Sequence, residues 1–206
     1  MANRTRHDYE LKDPKIATFL FSDTRMAIVW LIARFYLGWQ WLDAGRHKVT
    51  DDGWMDGGTA LRGFWERIVA VPEEGRPAIT YGWYRDFIQF MLDNAWYTWF
   101  AKVVAVGEVL IGLALILGLF TGIAAFLGAT LNFNFMLAGT ASTNPVLFLI
   151  ALGLILAWKI AGYIGLDAFI LPRVGTPWQP GFVWPHRRGV STAGSSINHP
   201  KVTGTK

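Results

Sequence analysis

The chain has 206 residues, 52% apolar and 17% charged, with a formal charge of +4 and no cysteine. That mixture describes apolar spans joined by polar segments rather than a water-soluble globule, and so modest a positive balance gives no reason to expect a nucleic-acid partner. The missing thiol excludes cysteine-ligated iron–sulfur clusters, thioether-linked haem and disulfides. None of the four histidines, His7, His47, His186 and His199, falls deep in an apolar stretch, which excludes a bis-histidine haem inside a bundle.

Residues 1–24 are polar and mixed in charge, too long and acidic for the n-region of a signal peptide, and within them residues 16–21 are expected to rest on a membrane surface. Asp23 suits the N-cap of a first span over about residues 25–45, RMAIVWLIARFYLGWQWLDAG, which has the ~20 residues a bilayer requires. Arg34 lies near its centre, and Trp39, Gln40, Trp41 and Asp43 crowd its far end like an interfacial belt. At about 100° per residue, Arg34, Gly38, Trp41 and Gly45 share a face whose small residues would let another helix approach. For Asp43, Arg46, His47 and Lys48, the plain reading is a solvated helix end, set against a functional one.

A long loop follows, to about residue 94. Asp56, Gly57, Gly58 and Thr59 read as a turn with Thr59 as helix cap. Leu61, Phe64, Trp65, Ile68 and Val69 then form the stripe of a short amphipathic helix, and YGWYRDFIQFMLDNAWYTWF offers a second, rich in aromatics. Two such helices are expected to cover one mouth of a bundle.

The second and third spans, about 97–118 and 121–139, form an apolar hairpin folded once at GLFTG, residues 118–122. It carries one acid, Glu108, and two amides, Asn132 and Asn134. Two residues apart, the amides diverge by about 200°, so only one can face inward. Asn144 as N-cap and Pro145 at the first helical position open a fourth span, 145–171, which contains Lys159. After Pro172 the composition turns to Pro, Gly, Ser, Thr and basic residues. Residues 173–206 read as a flexible basic tail, with Trp178, Phe182 and Trp184 resting on a membrane or a partner.

The expected fold is therefore all-α: an integral membrane four-helix bundle over residues 25–172, with a cytoplasmic N-terminal segment (1–24) and the tail (173–206). Ten basic residues flank the spans on the side of the termini and six lie in the long loop, so the positive-inside rule places the termini in the cytoplasm and the chain in the plasma (inner) membrane. Arg34, Glu108 and Lys159 are expected at one depth, with Glu108 between Arg34 and Lys159 and paired with one of them, because a lone charge there costs at least ~2.5–3.5 kcal/mol. With Asn132 and Asn134 they admit three readings: a polar lock for helix packing, a site for a polar headgroup such as a quinone, or a proton or ion path.

The layout, EVLIGLALILGLFTGIAAFLG, the NP opening of the fourth span, AWKIAGYIGLD near its end, and the loop string MDGGTALRGF together resemble the DoxX/DoxD family over about residues 25–172. The resemblance implies a four-helix membrane protein. In DoxD-like members it implies the membrane subunit of a thiosulfate:quinone oxidoreductase that works with a second subunit. It also implies a non-covalent quinone and contacts with lipid and a partner subunit; that no haem and no iron–sulfur cluster is expected follows from the cysteine and histidine counts above. Two functional classes stay open: a quinone-binding oxidoreductase subunit using Arg34, Glu108, Asn132, Asn134 and Lys159, or a non-catalytic accessory subunit of a larger complex. An apolar cavity near the buried charges would favour the first, and a filled core the second.

Overall fold

The computed structural model describes residues 13–176 and 179–180. The expectations for residues 1–12 and for most of the tail, including Trp178, Phe182 and Trp184, lie outside the described residues. The chain divides into two compact units, Met1–Ile170 and Leu171–Lys206. In the second, the described residues are the end of a helix and a short antiparallel pairing of Gly175–Thr176 with Gln179–Pro180. The first unit is all-α among its described residues.

Helix α1 (Lys15–Ser22) leaves Ile16 and Phe19 exposed, and it meets the following helix at a 53° bend. At the bend the Asp23 carboxylate accepts from the Arg25 backbone N–H at 2.9 Å and caps a 3-10 turn, Thr24–Met26, rather than the long helix itself. The Arg25 guanidinium holds this carboxyl down at about 2. The long helix is α2 (Ala27–Val49), and the face it buries includes Arg34, Gly38, Trp41 and Gly45, as the periodicity demands.

The loop contains α3 (Asp52–Met55), α4 (Thr59–Val69) and α5 (Gly82–Asp93). Gly57 and Gly58 take φ of +77° and +67°, so Gly58 occupies the cap position and Thr59 is the first helical residue instead of the cap. Leu61, Trp65 and Ile68 of α4 pack with Tyr84, Ile88 and Met91 of α5 around Ile79. Ala101 and Ala138 join this cluster, which places it against the start of α6 (Tyr97–Leu117) and the end of α7 (Thr121–Leu137). The loop thus builds its own small core and covers one end of the helices.

Between α6 and α7 the chain reverses at Gly118 (φ +67°) and Phe120 (φ +45°). Helix α8 (Asn144–Leu156) has Thr143 at its cap, one residue earlier than expected. The stretch expected to be one fourth span is broken. Helix α8 ends at Leu156, α9 (Trp158–Ala161) adds one turn, and α10 (Asp167–Val174) starts only after a further turn. Gly162 and Gly165 flank that second break, where the chain needs room to approach Asp167 and Arg34 closely.

Helix α2 lies antiparallel to α6. A Cβ at Gly45 would lie 2.6 Å from the Val109 nitrogen, one at Gly112 2.5 Å from the Leu42 nitrogen, and one at Gly38 3.0 Å from the Gly112 oxygen. Helices α7 and α8 form a second antiparallel pair, with the Phe133 and Phe148 rings 6.2 Å apart. The main core joins the two pairs: Leu37, Trp41, Ile111 and Leu115 meet Leu147 and Leu154 across a seam of alanines. Small residues allow such close approach without large side chains to interlock. The outward faces stay apolar as well, with Ile28 and Ile32 on α2, Val103 and Leu110 on α6, Ile123 and Phe126 on α7, and Leu149 and Leu156 on α8 all exposed. Helix α6 is long and apolar enough to cross a membrane alone, as α1 and α2 are when taken together as one bent span; α7 and α8 are shorter apolar helices.

The seam gives a paired test. Gly112→Ala should lower the thermal midpoint in detergent, because overpacking of a tight contact costs about 1–3 kcal/mol. Gly107→Ala, on the same helix but with nothing within 4 Å of its Cβ position, should leave the midpoint unchanged.

Candidate functional site

Where α2 crosses α6 at Gly45, the next inward turn of α2 brings Lys48 over Glu108. The Lys48 ammonium donates to Glu108 Oε2 at 2.6 Å, with the lysine side chain 19% exposed and the carboxylate 1%. Lys48 also stands over the Trp54 ring at 5.1 Å, under the loop helices. Arg34 precedes Lys48 by fourteen residues of helix, roughly 20 Å, and belongs to the opposite end of the pair.

At that opposite end Arg34 serves the backbone. Its Nη1 donates to the Ala161 carbonyl at 3.0 Å and its Nη2 to the Ile164 carbonyl at 2.8 Å. These are carbonyls that the interruption after α9 leaves without helical donors. The bare backbone of Gly118 and Gly165 makes room for the guanidinium. The Asp167 carboxylate accepts from the Phe120 and Thr121 N–H groups at 2.6 and 2.8 Å, capping α7 from a distant segment. The Asp167 N–H donates to the Gly118 carbonyl at 2.8 Å. GLFTG and AGYIGLD therefore form one interlocked corner.

The expected cluster of Arg34, Glu108 and Lys159 does not form. Glu108 sits on α6 ten residues before Gly118, the residue at the end of that helix which the Arg34 guanidinium meets, about 15 Å along the axis. Lys159 is exposed, its ammonium 5.9 Å from the Trp158 ring, near the corner end where a long side chain can reach an interface. The two asparagines diverge as their spacing requires. Asn134 donates from Nδ2 to the Thr130 carbonyl at 2.8 Å and accepts at its backbone oxygen from the Tyr84 hydroxyl at 3.2 Å, so it ties α5 to α7. Asn132 is fully buried and turns inward.

A cavity of about 450 Å³ opens beside the Lys48–Glu108 pair. Glu108, Asn132 and Trp41 line its deep side, Phe135 and Leu147 one wall, and Phe64 and Arg67 of α4 the loop side. Glu108 Oε1, both amide atoms of Asn132 and Trp41 Nε1 are buried with no hydrogen-bond partner among the described residues. Each such atom costs about 1–3 kcal/mol if left unpaired. Two of the four are acceptors and two are donors, so the wall suits a group that can both accept and donate. Among the described residues no three His, Asp or Glu side chains converge as a metal site.

Of the site residues expected from sequence, Glu108 and Asn132 line one cavity, while Arg34, Asn134 and Lys159 serve elsewhere. Lys48 and Trp41 are the additions. Lys48 follows Arg34, Trp41 and Gly45 at three- and seven-residue steps, so carrying the buried face one turn further would have found it.

Lys48→Met should destabilise the protein by about 3–5 kcal/mol, because it leaves a buried carboxylate without its partner. Adding Glu108→Leu should recover most of that loss. A double-mutant cycle read by unfolding in detergent checks both.

No curated protein and no solved structure gives a significant match to the chain. A family model described as DoxX matches residues 29–143, more than half of the chain, from within α2 to the turn before α8. That match takes in Trp41, Lys48, Glu108 and Asn132 together with both loop helices. The chain belongs to the DoxX family of membrane-associated proteins.

Proposed function

We propose that the chain is a four-span integral membrane subunit of a quinone-linked oxidoreductase, and that the cavity beside Lys48 and Glu108 holds the quinone headgroup. The observation that carries this reading is the set of four unpartnered polar atoms on Glu108, Asn132 and Trp41, on one side of a cavity whose other walls mix aromatic side chains (Trp54, Phe64, Phe135) with polar ones (Gln40, Arg67, Thr140, Ser142, Asn144). A quinone carbonyl accepts hydrogen bonds, and the hydroxyl of the reduced form both accepts and donates. Asn132 Nδ2 and Trp41 Nε1 are suited to the carbonyl, and Glu108 Oε1 to a hydroxyl proton. The nearby ammonium of Lys48 favours the negative charge that develops on a reduced ring. The chain brings no redox group of its own from cysteine, so electrons would pass between the bound carrier and a partner subunit.

The span reading rests on the outward faces. Four packed helices present Ile, Val, Leu and Phe to their surroundings, which water does not tolerate over such contiguous areas. In this reading α2, α6, α7 and the α8–α9 pair cross the plasma membrane, and lipid covers those faces. The ten-to-six distribution of basic residues puts the termini in the cytoplasm and the loop outside.

The chain has no native cysteine, which makes the topology directly testable. A cysteine replacing Glu74, in the exposed turn between α4 and α5, should react with an impermeant maleimide added to intact cells; labelling only after permeabilisation would reverse the orientation. For the site, Asn132→Leu should lower quinone affinity and quinone-dependent turnover of the purified complex by about tenfold or more, the effect of one lost hydrogen bond of ~1.5 kcal/mol. Lys159→Met should leave both unchanged. If Asn132→Leu keeps full turnover, or the complex carries no extractable quinone, a non-catalytic accessory subunit is the better reading.

A further inference from the structure

Helix α5 divides its surface in three. At about 100° per residue, Tyr84, Ile88 and Met91 fall within roughly 60° of arc, and this arc is buried in the loop core. Trp83, Phe87 and Phe90 occupy a second arc of about the same width, roughly 100° round from the first. These three rings are 64%, 46% and 52% exposed. Asp86, Gln89 and Asp93, all exposed, form a third arc on the far side of the aromatic one. A helix that packs on a protein and faces water needs only two faces. The aromatic arc needs a third environment.

That arc continues beyond the helix. Helix α5 ends at Ala95, whose φ is +54°; the Ala95 N–H donates to the Leu92 carbonyl and the Trp96 N–H to the Met91 carbonyl, both at 2.9 Å, a helix-ending pair of bonds. Across this turn the rings stay in contact, with Phe90 5.5 Å from Trp96 and Trp96 5.8 Å from Trp99. Trp99 then heads an exposed stripe on α6 that runs through Val103, Val106, Leu110, Leu113 and Leu117 at three- and four-residue steps. On the four-span reading, lipid covers this stripe. Its length from Trp99 to Leu117 is about 27 Å at the rise of an α-helix, close to the ~30 Å of a hydrocarbon core. The change from Val and Leu to Trp and Phe therefore falls where hydrocarbon gives way to headgroups, the level at which tryptophan concentrates. Helix α5 lies across this end of the α6–α7 pair, because the Tyr84 hydroxyl in its first turn donates to the Asn134 carbonyl of α7 at 3.2 Å and its last turn leads into α6.

Resting on the four-span reading above, we infer that α5 is an interfacial helix, with Trp83, Phe87 and Phe90 seated in the headgroup layer on the loop side of the bilayer and Asp86, Gln89 and Asp93 in water. The partner of this face is the lipid surface itself, since the face is the unbroken continuation of a lipid-covered stripe and its free flank is polar, as in helices that lie in a membrane interface. The loop is then a cap seated in the membrane, and its second helix fixes the height of the bundle in the bilayer.

The cysteine-free chain accepts single nitroxide labels, and the test uses the full chain in phosphatidylcholine liposomes. Labels at Phe87→Cys and Phe90→Cys should collide more with oxygen, which concentrates in lipid, than with a water-soluble nickel chelate. Labels at Asp86→Cys and Gln89→Cys should show the reverse order. A label at Leu110→Cys, on the α6 stripe, should show the strongest oxygen preference of the five. Nickel preference at Phe87 and Phe90, with oxygen preference kept at Leu110, overturns the interfacial helix and leaves the spans standing. Shielding of Phe87 and Phe90 from both reagents, or dipolar broadening between copies, assigns the face to protein and overturns it as well. Nickel preference at Leu110 removes the span reading and the interfacial helix with it.

Discussion

The distance between α2 and α6 governs most of what the protein can do. Gly38, Gly45 and Gly112 let the two backbones come nearly into contact, and the ion pair of Lys48 with Glu108 exists because of that approach. A lysine reaching a carboxylate on a neighbouring helix needs the axes close and the register right. A single added methyl at Gly112 would act on both. The same approach carries the Trp41 indole across to Gly128 of α7, so one glycine seam sets the width of the polar cavity and the thickness of its far wall.

The buried charges divide into two sets with different work. Arg34 and Asp167 attend to main-chain groups, one taking carbonyls at the end of α9 and the other taking N–H groups at the start of α7. Apolar surroundings offer no water to do this, and a helix interrupted there persists only if side chains supply the missing partners. Lys48 and Glu108 do not close off their polar capacity in the same way, because one carboxylate oxygen and the adjacent amide are left over. The corner also leaves two atoms over, Arg34 Nε and Thr121 Oγ1, whereas four such atoms belong to side chains that line the cavity. On the headgroup reading, it is the convergence of four such atoms on one cavity, not their being unpaired alone, that a ligand answers.

Much of the first unit was legible in the sequence, and the physical reasons are plain. The inward face of α2, the hairpin at Gly118, the two amphipathic loop helices and the divergence of Asn132 from Asn134 all follow from periodicity and turn chemistry, which are local. The unbroken fourth span was misread because Gly162 and Gly165 look like packing glycines, and nothing local announces that Arg34 and Asp167 will reward a break. The expected Arg34–Glu108–Lys159 cluster failed for a related reason. Counting residues from the ends of apolar stretches assumes that the spans start level, whereas α2 runs on past the others and lifts Lys48, not Arg34, to the level of Glu108. Long-range pairing of that kind depends on helix register, which one sequence does not carry.

The Arg34 contacts also impose an order on assembly. Its two carbonyl acceptors lie 127 and 130 residues downstream. At ~5–20 residues per second of synthesis, α2 emerges roughly 6–25 s before its guanidinium can be satisfied. On the four-span reading, a helix with an unsatisfied arginine in its first half must wait that long at the translocation machinery or at the edge of the bilayer, and the glycines facing α6 offer it an earlier partner after rather more than half of that interval. The last helices to be made would then release the first, and a chain truncated before Ala161 would be left with an arginine that has nowhere in the bundle to go.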